Sequence, residues 1–420
     1  MAKYKLLKQY IYTVDDKSLP KNIIADQEYR CRIDGYSTIM TQMRPKIMND
    51  EEKSTTTYPI FFVETVRINE LISKMYRHSK QIILLEDILP GVAKTSFINT
   101  LLINEIHDTN EIEGVDTNRE EIGTIIGNNK KNTKTKRLVS TVNLYIDTIS
   151  EKSKKIFQLK DFRTIYDELL QGEIIDKEKP DSRYFRNGFV RIGNSLETVY
   201  IPPVKEEEIF TALTSLIDFM NSHKVDPILK ALVTHFMFEN THPFYDGNGR
   251  MGRYLLSSYI SSKVDIYSGL SIATAIRKHS DKYYRTFKQA DDMFNRGDLT
   301  IFLEDMLTIL VSGQQDVIQD LRGKKEKLDT IKHNLAQQGQ FSDLDKGILF
   351  IISQSQLFNI VDSTSIKDNE IVAIINKRKV AVNSIKGAIK DLTSNGILVE
   401  ISKNPLKHVI NKKTWHELLI

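Results

Sequence analysis

The sequence predicts a mainly α-helical chain with one small β-hairpin and a C-terminal segment of three helices and a second hairpin. Three observations predict it. Apolar residues recur at helical spacing, as in Ile68, Leu71, Ile72 and Met75 and again in Ile228, Leu229, Leu232, Val233, Phe236 and Met237. Alternating runs of strand character are short and few. Breakers such as Pro90-Gly91 and Gln338-Gly339-Gln340 separate the helical stretches.

At 420 residues the chain has room for two or three domains. Lys and Arg number 59 against 55 Asp and Glu, a net charge of +4, and so mild an excess does not call for nucleic acid or a membrane as partner. Cys31 is the one cysteine, which excludes an intrachain disulfide and leaves no zinc cluster to suggest. No apolar run approaches a membrane span, and the stretch from Met1 to Thr13 is too polar for a signal peptide, so a cytoplasmic protein is expected. Secretion by a route without a cleaved signal stays open.

In chain order, residues 1–65 are mixed, with a strand expected from Tyr58 to Glu64 and a polar loop from Asn49 to Thr57. A helix from Arg67 to about Leu85 follows, then one from about Ala93 through Phe97, Ile98, Leu101, Leu102 and Ile106. That second helix leads into Thr109, Asn110, Glu111, Ile112, Glu113 and Gly114. Residues 128–137 are polar and basic without interleaved aromatics, which reads as a solvated connector. Helices are expected at about 138–151 and 160–171. Two alternating runs, from Tyr184 to Ile192 and from Glu197 to Pro203, flank a Gly193-Asn194-Ser195 turn and read as a hairpin. Asp226-Pro227 supplies an N-cap and a first-turn proline to the next helix, whose apolar residues form one stripe. His235 beside that stripe reads as a structural histidine.

The stretch from His242 to Arg253 then places one imidazole, one carboxylate, three glycines and two guanidiniums in twelve positions. Gly247, Gly249 and Gly252 let the backbone approach an anion and aim N–H groups at it. Arg250 and Arg253, three apart, share a face if a helix starts near Gly249. Asp246 would be repelled by phosphate unless a cation bridged them, and Mg²⁺ takes one or two carboxylates together with phosphate oxygens. Pro243 ends the preceding helix and biases His242 toward an extended backbone. With an unperturbed pKa of about 6.5, that imidazole is partly neutral near pH 7 and suited to accept a proton.

These residues resemble the Fic family motif His-Pro-Phe-x-Asp-Gly-Asn-Gly-Arg-x-x-Arg, whose nine fixed positions are all filled. The resemblance implies transfer of AMP from ATP to a Ser, Thr or Tyr hydroxyl of a target protein, the chain itself included. It implies His242 as general base, Asp246 as the Mg²⁺ ligand, and Gly247, Asn248, Gly249 and Gly252 as a phosphate cradle. Arg250 and Arg253 would bind the leaving pyrophosphate. Thr109 to Gly114 resembles the family's inhibitory motif Ser/Thr-x-x-x-Glu-Gly/Asn, which selects Glu113 because His107, not Ser or Thr, stands four before Glu111. A carboxylate there would form a bidentate pair with Arg253 and withhold it from the γ-phosphate. The hairpin resembles the family's flap, with Val199, Tyr200 and Pro202 set to register a target strand, and Tyr283 and Tyr284 are candidates to close over adenine.

After the motif, Leu255, Leu256, Tyr259 and Ile260 anchor a further helix, and a long charged helix runs from about Thr300 to Gln337. Helices at Asp345 to Leu357, Glu370 to about Asn376 and Ala381 to Ser394, then a turn at Asn395-Gly396 into a strand from Ile397 to Ile401 and a turn at Lys403-Asn404-Pro405 into a second short strand, resemble a winged helix. The expected organisation is an N-terminal segment 1–94, a Fic domain 95–337 and a winged-helix-like domain 343–420. Residues 343–420 hold eleven Lys and Arg against eight Asp and Glu, which favours protein interaction or dimerisation over DNA binding. The best DNA candidates there are Lys377, Arg378, Lys379, Lys386 and Lys390. Three rival readings stay open: removal of AMP with Glu113 positioning a water, transfer of another phosphate-containing group, and a nucleotide-sensing regulator acting through the winged helix.

Overall fold

The computed structural model describes residues 4–14, 18–48, 54–55, 58–127, 138–193 and 198–420. Its helices in the first half are α1 (Leu7–Tyr10), α2 (Lys21–Ile33), α3 (Val66–Asp87), α4 (Gly91–Ile112), α5 (Arg119–Gly127), α6 (Val139–Ile149), α7 (Leu159–Leu169) and α8 (Glu206–Asn221). There follow α9 (Pro227–Thr241), α10 (Asn248–Lys263), α11 (Ile266–Gly269), α12 (Ile272–Lys278), α13 (Ser280–Ala290) and α14 (Thr300–Gln337). The last are α15 (Asp343–Phe358), α16 (Asp368–Asn376), α17 (Val382–Ser394) and α18 (Lys412–Leu419). The strands are β1 (Thr38–Met40), β2 (Ile47–Met48), β3 (Ser54–Thr55), β4 (Phe61–Val63), β5 (Ile192–Gly193), β6 (Thr198–Tyr200), β7 (Leu398–Lys403) and β8 (Leu406–Ile410). Among the described residues they pair only as two-stranded antiparallel sheets, β1 with β4, β2 with β3, β5 with β6 and β7 with β8, so the fold is mainly α.

The chain divides into two units. The first comprises Met1–Ser79, Asp108–Val115 and Thr135–Gln314, and α9 is its central element. Asp226 caps α9 by accepting a hydrogen bond from Ile228 N at 2.8 Å, and Pro227 sits where the missing N–H has no helical partner to lose. The expectation of a single apolar stripe understates this helix. Lys230, Thr234, His235, Asn240 and Thr241 are buried as well, so α9 is enclosed on all sides. Phe238 stacks on Phe162 at 5.8 Å and Phe236 on Phe287 at 5.9 Å, which fixes the rotation of α9 about its axis.

The second unit comprises Lys80–His107, Asp116–Lys134 and Gln315–Ile420. Its core gathers Ile352, Ile371, Ile385, Leu398, Ile410 and Leu418 from α15, α16, α17, the β7–β8 pair and α18. Ser342 and Asp345 form a reciprocal capping box that starts α15. The closing helix α18 was not anticipated; Asn411 caps it by accepting from Thr414 N at 2.8 Å.

The strand expected from Tyr58 to Glu64 is confined to Phe61–Val63. The basic connector 128–137 and the hairpin turn 194–197 lie outside the described residues, as does most of the Asn49 to Thr57 loop. No helix among the described residues is long and apolar enough to cross a membrane.

Candidate active site

The segment from His242 to Gly247 joins α9 to α10, and its shape is set by its own side chains. Asn248 accepts from Phe244 N at 2.9 Å and donates to Phe244 O at 2.8 Å, so both ends of its amide are used on the loop. Phe244 is in turn stacked on Tyr166 at 3.7 Å, and the Tyr166 hydroxyl donates to Asp246 O at 3.1 Å. Gly247 has φ +78° as the N-cap of α10, a conformation that glycine adopts without strain. A Cβ on Gly249 would lie 2.2 Å from Glu113 Oε1, so the backbone there is open to a close neighbour only because it is glycine.

His242 is the C-cap of α9, and its backbone is left-handed (φ 48°, ψ 61°) instead of the extended form that Pro243 favours. The helix-ending turn prevails because neighbouring groups hold it. His242 N donates to Phe238 O at 3.0 Å, Arg186 Nε donates to His242 O at 2.8 Å, and Arg186 N donates to Pro243 O at 3.1 Å. Arg186 is fully buried and also donates to Gly188 O at 2.7 Å. Burial lowers its pKa to about 10. Burial and the Arg186 charge together push the His242 imidazole down to about 3, so it is wholly neutral near pH 7, not partly so. Nothing in the spacing of the sequence pointed to Arg186. Glu206 holds the segment in front of it, accepting from Ser182 Oγ at 2.6 Å, Tyr184 N at 2.7 Å and Phe185 N at 2.9 Å.

Arg250 and Arg253 both project from the first turns of α10 and are buried. Arg250 pairs with Glu173 at 2.6 Å and with Asp246 at 3.3 Å. Glu173 was not singled out from the sequence, since it lies 77 positions away from its partner. The Asp246 carboxylate is 46% exposed. One open, hard carboxylate beside glycine N–H groups fits a Mg²⁺ ion that completes its shell with phosphate oxygens and water.

Arg253, 2% exposed, is held by Thr109 and Glu113 together. Its Nε donates to Thr109 Oγ1 at 2.8 Å, and its Nη2 donates to Thr109 O at 3.1 Å and to Glu113 Oε1 at 2.7 Å. Because threonine occupies Nε, the carboxylate binds through one oxygen and the bidentate pair expected from the sequence is not formed. Burial is the largest single influence on Arg253 and opposes its charge, yet Glu113, Tyr283 and Glu239 together outweigh it and the guanidinium titrates above its ordinary value. The end of α4 fixes Glu113 in place. Gly114 is left-handed (φ +69°), Gly114 N donates to Glu111 O at 3.0 Å and Val115 N to Asn110 O at 2.9 Å, which is the Schellman pattern. Upstream, Asp108 accepts from Thr274 Oγ1 at 2.7 Å and pairs with Arg277 at 3.2 Å, and Glu111 pairs with Arg277 instead of Arg253.

Behind Arg253 lies Glu239, also unforeseen. Burial raises its carboxyl to about 8, with Arg253 working the other way and Glu113 adding to the rise. His235 Nε2 shares a hydrogen bond with Tyr283 OH at 2.9 Å, and burial, then Arg253, lowers its imidazole to about 3, which suits the structural role expected of it. Tyr283 is buried, whereas Tyr284 is 54% exposed and meets it edge-on at 5.3 Å. In the hairpin, Ile192 faces Tyr200, whose buried hydroxyl donates to Glu239 O. Pro202 is buried, and the Val199 side chain lies outside what the structure describes.

Comparison with known proteins bears on this arrangement. Residues 156–260, which include the whole of the loop from His242 to Arg253, match the Fic/DOC family. Protein adenylyltransferase fic-1 of Caenorhabditis elegans is 26% identical over 132 residues, 24% of this chain and 26% of its own length. A probable protein adenylyltransferase of Aquifex aeolicus is 25% identical over 222 residues, half of this chain and 58% of its own length. The chain thus spans between about a quarter and three-fifths of these relatives. The crystal structure of a Fic family protein from Desulfovibrio desulfuricans superposes with a TM-score of 0.50 at 17% identity, covering 83% of this chain and 97% of that one, which shows a shared fold. The chain thus carries a Fic domain at residues 156–260.

Proposed function

We propose that the protein is an adenylyltransferase that moves AMP from ATP to a Ser, Thr or Tyr hydroxyl of a target protein and is restrained by Glu113. The observation that carries this reading is the contact of Thr109 and Glu113 with Arg253, at the start of a helix whose preceding loop holds a neutral imidazole.

His242 accepts the proton of the target hydroxyl as the oxygen bonds to the α-phosphorus. The bond from that phosphorus to the α,β-bridging oxygen breaks, and pyrophosphate leaves with the electron pair. N–H groups of Gly247, Asn248 and Gly249 at the start of α10 face the phosphates, and Arg250 and Arg253 stabilise the charge that develops on the leaving group. A Mg²⁺ ion on Asp246 would neutralise charge between the α- and β-phosphates. The exposed Tyr284 ring is the adenine candidate that stays open to solvent. The hairpin β5–β6 serves as the register for a target strand, and residues 343–420 serve protein interaction or dimerisation before DNA binding.

Glu113 acts by competition. While Oε1 holds Nη2 of Arg253, the γ-phosphate lacks that partner and ATP binds in an unproductive pose. A second reading rests on the same carboxylate: bound through one oxygen and 29% exposed, Glu113 has a second oxygen able to orient water for removal of AMP from a modified protein.

Incubation with ATP labelled at the α or the γ position separates the readings. Label retained on protein from the α position alone supports adenylylation. Retention from the γ position alone overturns it in favour of phosphorylation. Release of AMP from a labelled target, faster with wild type than with Glu113→Gly, supports the second reading.

A further inference from the structure

Helix α7 ends in a tight turn over residues 170–173. Glu173 N donates to Leu170 O at 3.0 Å, and Gly172 takes φ +79° in the third position, where a type II turn needs a left-handed residue. The turn packs against the loop from His242 to Arg253, since a Cβ on Gly247 would lie 2.1 Å from Leu170 Cδ1. It thereby brings the Glu173 carboxylate to Arg250, with Oε2 2.6 Å from Nη1 and side-chain exposures of only 6% and 5%. A charge-assisted hydrogen bond so short and so sheltered from water is a strong one.

The remaining nitrogens of Arg250 are held loosely or not at all. Nη2 stands 3.3 Å from Oδ2 of Asp246, whose carboxylate is 46% exposed, and 3.6 Å from where a Gly247 Cβ would be, so it faces the glycine cradle. Nε is buried without a hydrogen-bond partner among the described residues. Glu173 is therefore what orients the guanidinium. Without it, Asp246 is the one carboxylate that Arg250 meets among the described residues, and the guanidinium closes onto it because an unpaired buried charge is costly. The oxygens so occupied are those a divalent cation needs.

We propose that Glu173 is a positioning residue for AMP transfer: it holds Arg250 with Nη2 toward the phosphates and keeps the guanidinium from closing on Asp246, whose carboxylate stays open to a divalent cation. The role presupposes the nucleotide site proposed for the loop from His242 to Arg253. Glu173 works in the sense opposite to Glu113. The Glu113 side chain is 29% exposed and takes Nη2 of Arg253, so a phosphate must displace it. The Glu173 side chain is nearly sealed from solvent and takes Nη1 of Arg250, so Nη2 can exchange Asp246 for a phosphate oxygen while Nη1 keeps its partner.

The test is calorimetric binding of α,β-methylene-ATP, which cannot transfer AMP, to the full chain carrying Glu113→Gly, in EDTA and across a Mg²⁺ series. Adding Glu173→Ala should raise the Mg²⁺ concentration that gives half of the cation-dependent tightening by about 10- to 100-fold, the usual loss when a group supporting a metal ligand is removed, and should change binding in EDTA by less than about threefold. Glu173→Gln keeps an acceptor for Nη1 and should fall in between; it carries the test if Glu173→Ala does not fold. Equal weakening with and without Mg²⁺ would show a merely structural role, and tighter binding with Mg²⁺ would show a second restraint like Glu113; either result overturns the proposal. An unchanged Mg²⁺ requirement overturns it alone, whereas absence of Mg²⁺-dependent binding by the Glu113→Gly chain itself overturns the nucleotide reading with it.

Discussion

Glu113→Gly removes the carboxylate oxygen that lies 2.7 Å from Arg253 Nη2 and leaves the two hydrogen bonds to Thr109 in place. A hydrogen bond to a charged group contributes about 1.5–3 kcal/mol, and at 1.4 kcal/mol per tenfold this corresponds to a gain of about 10- to 150-fold in the productive binding of ATP. Stability should move the other way. Breaking a fully buried ion pair costs roughly 3–5 kcal/mol, and the loss here should be smaller, about 1–3 kcal/mol, since Glu113 is 29% exposed. The two signs together are diagnostic, because simple loosening of the fold lowers stability and activity in parallel. The assay is retention of α-label on protein at ATP concentrations below saturation, alongside a thermal melt of the same samples. Glu113→Gln keeps an acceptor without the charge and should fall between the two. Labelling by Glu113→Gly at the wild-type rate would refute the restraint by Glu113, whatever the melt shows.

His242→Ala should abolish α-labelling while ATP binding, measured by calorimetry, survives; persistent labelling would remove His242 as the base. In the free protein the His242 imidazole should stay neutral on acidification to below pH 5, as followed by its ring NMR signals, whereas titration near 6.5 would contradict the influence of burial and Arg186. Gly252→Ala would place a Cβ 2.0 Å from Glu239 Oε1 and 3.3 Å from His235 Nδ1. The resulting clash of about 1–3 kcal/mol should outweigh the roughly 1 kcal/mol gained from the better helix former. The melting temperature should fall, and a rise would show that Glu239 gives way. Glu239 titrates at about 8 in the fold against an ordinary 4.5, so both states are protonated below 4.5 and the unfolded chain ionises first as pH rises. Its contribution to stability is therefore full below 4.5 and lost as pH rises through 8. Glu239→Gln should gain stability relative to wild type at pH 8.5 compared with pH 5; equal differences at the two values would show that this carboxyl is not held protonated.

Much of this was legible because the informative residues are close in sequence. Helix α9 announces itself through Asp226, Pro227 and its apolar residues, and the loop after it through twelve consecutive positions. The choice of Glu113 over Glu111 follows from a four-residue spacing, and in the fold Glu111 turns to Arg277. What escaped depends on distant partners. Arg186 meets His242 O across 56 positions, Glu173 meets Arg250 across 77, and the pressure on Glu239 comes from burial that no local pattern records. The left-handed backbone of His242 escaped for a related reason. A rule about the residue before proline concerns two neighbours, while Phe238, Arg186 and the end of α9 together impose the outcome.

The closed pair of hydrogen bonds between Asn248 and Phe244 has a consequence for how a nucleotide is met. Because the segment from Phe244 to Asn248 already braces itself, an arriving ligand need not supply the conformational entropy of ordering it, and its interaction energy is left for discrimination between phosphates. Such a rigid receptor should display the heat of its contacts with little added ordering loss. Adaptation is then left to whatever sits above the loop.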